Sequence, residues 1–310
     1  MDLCGQSALS VQCQVGLICH CPSSISRGER ACSCGSWTQI ATPTVVYLSG
    51  MLTALVTGGT SGLGAAFARS LARKGFNLIL VARNENRLRE VSQQLAGEHG
   101  IHVDVMTADL SDRHDVERVA QRLADTTRPV DLLINNAGFS VGTPFLSDDF
   151  SPHDAGMDVM CRAVTLLSGA AGRSMAERGT GWIVNIASIA GCVTMGEYSS
   201  IKAYVTSMTE SLAVELHGTG VQATAVLPGW VRTEFHSRAG IAGSSIPNFM
   251  WLNADDVADE ALTDVARGKV LSIPTVRYKA VYTTLHHLPR PAVRWISRQV
   301  SGARKREKEA

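Results

Sequence analysis

A tyrosine and a lysine four residues apart form a pair that could transfer protons. The segment YSSIK at residues 198–202 opens a predicted helix, so Tyr198 and Lys202 share one face of it. A free tyrosine ionises near pH ~10, which is too high for efficient proton transfer at neutrality. A nearby ammonium favours the phenolate, and we therefore expect Lys202 to lower the pKa of Tyr198. Such a phenol can donate a proton to a carbonyl oxygen as hydride arrives, or remove one in the reverse direction.

A serine at the end of a predicted strand adds a third group to this pair. Ser188 follows the strand 182–187, and its hydroxyl can hold the same substrate oxygen by a hydrogen bond. A lone Tyr-x-x-x-Lys pattern is frequent by chance and usually lies on a solvated helix face. The pattern gains specificity here from its order after a glycine-rich turn, the segment NNAG at 135–138, and Ser188.

The glycine-rich turn, TGGTSGLG at residues 57–64, stands between the first predicted strand and the first predicted helix. Gly58 permits a tight turn, Gly62 lets a pyrophosphate approach the backbone, and Gly64 lets the helix pack closely on its strand. The helix N-terminus offers free amides to phosphate. The predicted cofactor-binding residues of the turn are Gly58, Thr60, Ser61, Gly62, Leu63 and Gly64.

The end of the second predicted strand indicates which dinucleotide binds. NAD-type sites carry an acidic residue there for the ribose 2′-hydroxyl, whereas this strand ends in Ala82-Arg83-Asn84, with no carboxylate before Glu85. The guanidinium fork of an arginine suits a 2′-phosphate. The sequence therefore favours NADP(H) over NAD(H). The alternative is that Arg83 merely ends a strand in water.

Apolar strands alternate with amphipathic helices from Met51 onwards. This alternation predicts an α/β fold with a parallel sheet covered on both faces, and no internal repeat or linker divides it. The predicted strands are 52–56, 77–82, 101–107, 131–134, 182–187, 221–227 and 270–273; the predicted helices include 65–74, 84–98 and 112–125, the last capped by Ser111.

Together these segments resemble the short-chain dehydrogenase/reductase family over about residues 51–275. The resemblance implies an NAD(P)-dependent oxidoreductase acting on CH–OH and C=O groups. It implies a doubly wound, Rossmann-type sheet of about seven parallel strands in a three-layer α/β/α arrangement. It also implies that Tyr198 is the general acid/base, that Lys202 tunes the pKa of Tyr198 and binds the nicotinamide ribose, and that Ser188 donates to the substrate oxygen.

The resemblance assigns further segments to the cofactor. Asp109 and Leu110 match the segment that holds the adenine, and Asn136, Ala137 and Gly138 match the one beside the adenosine and ribose. The stretch PGWVRT at 228–233 matches the one that positions the nicotinamide. Its predicted cofactor-binding residues are Pro228, Gly229, Val231 and Thr233.

Two positions depart from the family's pattern. Many members carry an asparagine on the helix after NNAG, where it supports a water near the lysine, and alignment of residues 157–167 places Met160 there. A thioether accepts hydrogen bonds poorly, so we expect altered proton delivery. Ser188 precedes Tyr198 by ten residues, fewer than in many members, which predicts a short substrate-side loop.

The segment 233–253 contains large apolar residues among small ones. In the family this region forms a mobile substrate lid, and its composition favours a lipophilic or acyl-type substrate over a sugar. These residues pack equally well beneath an ordinary loop, and His236 is more typical of a solvated loop position. The large residues are Phe235, Ile241, Ile246, Phe249, Met250 and Trp251.

Composition and charge exclude several classes of protein. The 310 residues are 45% hydrophobic and 18% charged with a net charge of +1, which suits a globular protein and gives no electrostatic reason to propose nucleic acid as a partner. No long uncharged apolar run predicts a spanning helix. The body of the chain is typical of a reduced, cytoplasmic protein.

Residues 1–50 differ in composition from the rest of the chain. Six of the eight cysteines lie there, but the spacings of Cys19-His20-Cys21 and Cys32-Ser33-Cys34 do not match ordinary zinc sites, so we predict no metal. The segment also lacks the pattern of a secretory signal. We expect a disordered extension, or an upstream stretch preceding a start at Met51.

Residues 276–310 form a basic, partly apolar tail, which Pro289 and Pro291 are expected to divide into two short helices. Such a tail can lie on an anionic membrane or pack on a neighbouring subunit. It is similar to the branch of the family that contains ketoacyl and long-chain acyl reductases. The family's frequent dimers and tetramers imply a homo-oligomer.

The leading hypothesis is thus an NADP(H)-dependent oxidoreductase of lipid metabolism that interconverts lipophilic ketones, such as 3-oxoacyl compounds, and secondary alcohols. A steroid- or polyol-type dehydrogenase uses the same chemistry. The hypothesis from a different class is an NADP(H)-binding regulator without turnover, which Met160 favours and the intact Tyr198/Lys202 pair disfavours.

Overall fold

Parallel strands form the centre of the molecule. The computed structural model describes residues 51–234 and 247–309. The strands of these residues are β1 (Thr53–Thr57), β2 (Asn77–Ala82), β3 (Val103–Thr107), β4 (Leu132–Asn135), β5 (Gly181–Ile186), β6 (Val221–Val226), β7 (Trp230–Val231), β8 (Trp251–Leu252) and β9 (Leu271–Ser272). A seven-stranded sheet has the order β3-β2-β1-β4-β5-β6-β9, and β7 pairs with β8 in a separate parallel ribbon.

Helices connect the strands and cover the sheet. They are α1 (Gly62–Arg73), α2 (Glu85–His99), α3 (Arg113–Ala124), α4 (Ser151–Met157), α5 (Ala163–Arg178), α6 (Glu197–Glu215), α7 (Ala254–Ala266), α8 (Val276–His287) and α9 (Arg290–Glu309). A π-helical turn, Asp158–Arg162, joins α4 to α5, and a 3₁₀ turn, Ile189–Cys192, follows β5.

The side chains of the central strands alternate between two apolar layers. In β1, Ala54 and Val56 pack against α1, α2 and α7, whereas Leu55 packs against α3 and α5. A strand that is covered on both faces reads as a continuous apolar run, which is why the sequence pattern located these strands. The predicted α/β, doubly wound sheet of about seven strands is confirmed.

The strand order reverses between β1 and β4. β1 pairs with β2 on one side, Thr57 opposite Val81, and with β4 on the other, Val56 opposite Ile134. The connections leaving β1 and β4 go to opposite faces of the sheet, so a crevice opens beyond their carboxyl ends. The glycine-rich turn follows β1 and the NNAG segment follows β4.

Two details differ from the sequence predictions. Asp112, not Ser111, caps α3, because its carboxylate accepts from the Asp115 amide at 2.9 Å. α9 is a single helix of 20 residues rather than a short piece, because Pro291 lies in its first turn, where a missing N–H costs no helical hydrogen bond. No helix in the described part of the chain is both long enough and apolar enough to cross a membrane.

Candidate active site

The first turns of α6 place Tyr198 and Lys202 on the same face. The Lys202 Nζ lies 5.6 Å from the centroid of the Tyr198 ring. This ammonium is buried and donates a hydrogen bond of 2.7 Å to the carbonyl oxygen of Ile186, the last residue of β5. The lysine therefore fastens α6 to the carboxyl end of the sheet.

Ser188 stands two residues beyond β5 and joins the same group. Its hydroxyl accepts from the Ala190 amide at 3.1 Å and donates to the Pro228 carbonyl at 3.4 Å. It is also hydrogen-bonded to the Tyr198 phenol. The structure thus brings together Ser188, Tyr198 and Lys202, of which the first and last are fourteen residues apart in the chain.

Burial controls the protonation of this group. It raises the pKa of the Tyr198 phenol well above its ordinary value, and the hydrogen bond from Ser188 offsets only part of the effect. Burial likewise lowers the pKa of Lys202 to about 8. The net shift of the Tyr198 pKa is therefore upward, opposite to the shift expected from Lys202 alone, because desolvation of the phenolate is the largest effect.

The glycine-rich turn adopts backbone conformations that require glycine. Gly58 and Gly62 have φ angles of +66° and +55°. A Cβ on Gly64 would lie 2.2 Å from the Gly58 carbonyl oxygen, so only glycine lets α1 start against the turn. Ser61 makes no side-chain capping bond, and the first turn of α1 carries no acidic residue. The amides of Gly62 and Leu63 are therefore available to an anion, and half-buried Thr60 lies beside them in the chain.

The NNAG segment holds the ends of β1 and β4 together. The Thr57 hydroxyl accepts from the amides of Asn136 and Ala137 at 2.9 and 3.1 Å. The Asn136 side-chain amide donates back to the Thr57 carbonyl at 3.0 Å. Asn136, which was predicted to face the cofactor, thus fixes the shape of the turn through its side chain.

Arg83 and Asp109 lie side by side at the ends of β2 and β3. The Arg83 guanidinium is 4.0 Å from the Asp109 carboxylate, and its side chain is 79% exposed. Hydrogen bonds from the amide and hydroxyl of Ser111 hold the pKa of Asp109 below its usual range, and Arg83 adds to this effect. Leu110 is buried. The glycine turn is adjacent, since the Gly58 amide donates to the Val81 carbonyl at 2.8 Å.

The segment 228–233 follows β6 and contains β7. Gly229 leaves no room for a side chain, because a Cβ there would lie 1.9 Å from the ring of Tyr278 on α8. Val231 is buried in β7, so its side chain packs in the core. Thr233 lies beside the glycine turn. A Cβ added to Gly62 would be in van der Waals contact with the Thr233 side chain, 3.4 Å from its Cβ. Gly62 and Thr233 border a cleft of about 670 Å³.

The two departures from the family pattern have structural counterparts. Met160 is 1% exposed and lies in the π-helical turn. Its sulfur packs against Gly138 so closely that a Cβ added to that glycine would lie 3.0 Å from it. The short connection from Ser188 to Tyr198 packs tightly, since a Cβ on Gly191 would lie 2.8 Å from the Ala203 amide. Its Thr194 amide donates to Ser297 of α9 at 3.1 Å.

A buried polar network beneath the site was missed by the sequence predictions. The Asn135 side chain donates to Asn185 at 2.9 Å, and Asn185 donates to Thr209 at 3.0 Å. Ser168 contacts both asparagines. These residues join β4, β5, α5 and α6. The sequence does carry one signal for this network: Asn135 and Asn185 are polar residues near the ends of the otherwise apolar strands β4 and β5.

Part of the predicted lid is outside the described residues, namely Phe235, His236, Ile241 and Ile246. Phe249 is 63% exposed, whereas Met250 and Trp251 are half-buried. The Trp251 ring lies 5.9 Å from Trp230 in a tilted arrangement.

Comparison with known proteins decides the family. The family model for short chain dehydrogenases matches residues 52–241, more than half of the chain. The chain belongs to the short-chain dehydrogenase family. A relative from Streptomyces coelicolor that carries a ketoacyl reductase name is 37% identical over 187 residues, which cover 58% of this dehydrogenase and 70% of that protein.

Solved structures agree with this dehydrogenase in fold. A short-chain dehydrogenase from Sphingobium yanoikuyae in complex with NADPH is 34% identical, with a TM-score of 0.71 over 76% of this chain and 92% of that one. A bulky-bulky ketone specific alcohol dehydrogenase from Comamonas testosteroni is 31% identical, with a TM-score of 0.67 over 76% and 91%. The family prediction is confirmed, and the chain is an oxidoreductase.

Proposed function

We propose that this dehydrogenase uses NADP(H) to interconvert a lipophilic ketone and a secondary alcohol, with Tyr198 as the general acid/base. One observation carries the proposal: the Tyr198 phenol is hydrogen-bonded to Ser188, and its ring lies 5.6 Å from the Lys202 ammonium. This group stands at the end of the sheet where the glycine turn lies. These are a proton donor, an oxygen ligand and a cation on one side of a nucleotide-type crevice.

The residues of the crevice fit a dinucleotide diphosphate. The φ angle of Gly62, the uncapped start of α1 and the absence of an acid from its first turn favour an anion at this helix N-terminus. The exposed Arg83 fork is free to turn from Asp109 to a 2′-phosphate, and no carboxylate ends β2. The NADPH complex of the Sphingobium relative supports the same choice. When bound, the cofactor supplies or accepts the hydride.

Tyr198 is suited to the reduction direction. The phenol is protonated at neutral pH, so it has a proton to donate to the carbonyl oxygen while the carbonyl carbon gains hydride. Burial makes it a weaker acid, which the hydrogen bond from Ser188 offsets in part. Ser188 holds the same oxygen and stabilises the phenolate that remains. Lys202, anchored on Ile186, places its positive charge near that phenolate. In oxidation the phenolate removes the proton from the alcohol.

The proposed substrate is lipophilic, with 3-oxoacyl compounds as the favoured class. The exposed ring of Phe249 and the half-buried Met250 and Trp251 provide apolar surface after β7. The Streptomyces relative's ketoacyl reductase name and the Comamonas enzyme's bulky ketones support a lipophilic class over a sugar. Steroid-type ketones use the same chemistry and belong in the same assay.

We further propose residues 51–275 as the catalytic domain, preceded by an extension and followed by the tail. Exposed apolar residues on α5 and α6, Leu166, Tyr204 and Val214, support self-association. On α9, the exposed Trp295 stands between the exposed Arg294 and Arg298, which supports contact with an anionic membrane surface.

A substrate panel tests the proposal. The purified chain is incubated with NADPH and ketones that differ in chain length and thioester content, and loss of nicotinamide absorbance is followed. We expect turnover that improves with apolar chain length. NADPH binding without consumption of any ketone would instead support the regulator, for which the apolar Met160 under Gly138 is the favouring observation.

A further inference from the structure

A buried contact between a histidine and a glutamate adjoins Tyr198. His153 on α4 and Glu197, the first residue of α6, are 6% and 7% exposed. The His153 Nδ1 is hydrogen-bonded to the Glu197 carboxyl group, and its Nε2 lies 3.2 Å from the Pro144 carbonyl oxygen. Neither side chain takes part in the proton transfer described above.

The partners of the imidazole determine how many protons the pair holds. A carbonyl oxygen can only accept, so Nε2 carries a proton. The contact at Nδ1 then needs one more proton, held either on the imidazole or on the Glu197 carboxyl group. In both forms the pair is neutral as a whole, which allows two titratable side chains to be buried beside Tyr198.

The contact also fastens α4 to the start of α6. The imidazole stacks on Phe145 at 5.6 Å between ring centroids, with Phe150 at the same distance in a tilted arrangement. One turn further along α4, a Cβ on Gly156 would lie 3.3 Å from Ile201. The helix N-cap, Gly196, offers no side chain to cap the first turn of α6. The position of that turn therefore depends on tertiary contacts. They include the hydrogen bond between Tyr198 and Ser188 and, one residue earlier in the chain, the buried His153–Glu197 pair.

We propose that His153 and Glu197 are positioning residues that hold the Tyr198 phenol in line with Ser188 and Lys202. The proposal rests on the proposed function, in which Tyr198 transfers the proton. Loosening the first turn of α6 would shift the phenol relative to Ser188, and a displacement of about 1 Å can cost up to about 100-fold in rate.

Two variants separate positioning from folding. His153→Phe combined with Glu197→Leu removes both titratable groups and leaves no unpaired buried charge, so it should fold. Glu197→Gln keeps the size of the side chain and offers an amide N–H that can donate to Nδ1, so the imidazole stays neutral with its Nε2 proton directed at the Pro144 carbonyl. Glu210→Leu changes an exposed carboxylate on the same helix and serves as the control.

We expect the double variant to bind NADPH like the wild type and to lose about 10- to 100-fold in kcat with little change in KM. Glu197→Gln should keep kcat within about threefold of the wild type, and Glu210→Leu should not alter it. A folded double variant with wild-type kcat would overturn the proposal, as would an equal loss of NADPH affinity and kcat.

A readout without turnover separates this proposal from the proposed function. In protein labelled at the tyrosine Cζ, the NMR resonance of Tyr198, assigned with Tyr198→Phe, should move in the double variant while those of Tyr278 and Tyr282 stay in place. A resonance that does not move refutes the positioning role. Absence of wild-type turnover on every ketone refutes the proposed function alone.

Discussion

The protonation of Tyr198 follows from where its ring lies. Burial disfavours the phenolate more than Ser188 stabilises it, so the phenol holds its proton at neutral pH. The sequence placed Tyr198, Lys202 and Ser188 in one site because helical spacing and strand ends are local features. It could not give the direction of the pKa shift, because desolvation depends on every element that packs around the ring.

Lys202 should make stability depend on pH. Its pKa is about 8 when folded and 10.5 ordinarily, so the unfolded chain holds more protons between these values and the unfolding free energy rises with pH across that window. Below pH 8 the folded state bears the whole desolvation cost, about 3 kcal/mol. Lys202→Met lacks this cost, so it should have the higher unfolding free energy in urea at pH 8. The difference from the wild type should shrink as the pH rises to 10.5. A difference that is constant with pH would contradict this account.

Arg83 should decide between the two dinucleotides. Arg83→Asp replaces an exposed cation at the end of β2 by an anion, and it should weaken NADPH binding by about 10-fold or more while leaving NADH nearly unchanged. Titration of both cofactors by fluorescence measures this. Arg87→Asp on α2 is a control, since its partner is Glu90. Equal effects on NADPH and NADH would refute the role of Arg83 in 2′-phosphate recognition.

At the scale of elements, the strands were predictable because both of their faces are apolar. β2 was predicted with its observed bounds, Asn77–Ala82. The β7–β8 ribbon has two residues in each strand, and the π-helical turn spans five residues, 158–162. Segments this short carry no periodic pattern, so neither element could be predicted. The Asp112 cap was missed by one residue because Ser and Asp are equally good caps.

The junction of the glycine turn with α1 should tolerate no side chain at Gly64. Gly64→Ala places a methyl group 2.2 Å from a backbone oxygen, so turn or helix must shift. We expect a loss of roughly 1–3 kcal/mol in unfolding free energy and weaker NADPH binding. Gly97→Ala, in α2 with nothing within 4 Å of a Cβ, should be neutral or stabilising and is the control. Unaltered stability of Gly64→Ala would show that the turn is less tightly packed than described.

At the scale of the whole molecule, the last two helices pack on the site. The Tyr278 hydroxyl accepts from the Trp230 amide at 3.0 Å and donates to the Met250 carbonyl at 2.8 Å. Ser297 binds the connection between Ser188 and Tyr198. Composition marked residues 276–310 as a basic tail, but these contacts join residues distant in sequence and could not be predicted from it.

The segment 1–50 should be dispensable for folding and turnover. A chain that begins at Met51 retains every residue of the sheet, the glycine turn and the Tyr198 group. We expect its thermal midpoint and its kcat to equal those of the full chain. Loss of folding or of turnover on this truncation would mean that residues 1–50 contribute to the domain.

The most direct test of the whole account is Tyr198→Phe, which removes one hydroxyl and keeps the ring. NADPH affinity and single-turnover reduction of the best ketone are measured for the variant and the wild type. The account predicts unchanged NADPH affinity and a rate that falls by about 100-fold or more, because the proton donor is gone. A variant that binds NADPH and reduces the ketone at the wild-type rate would contradict it.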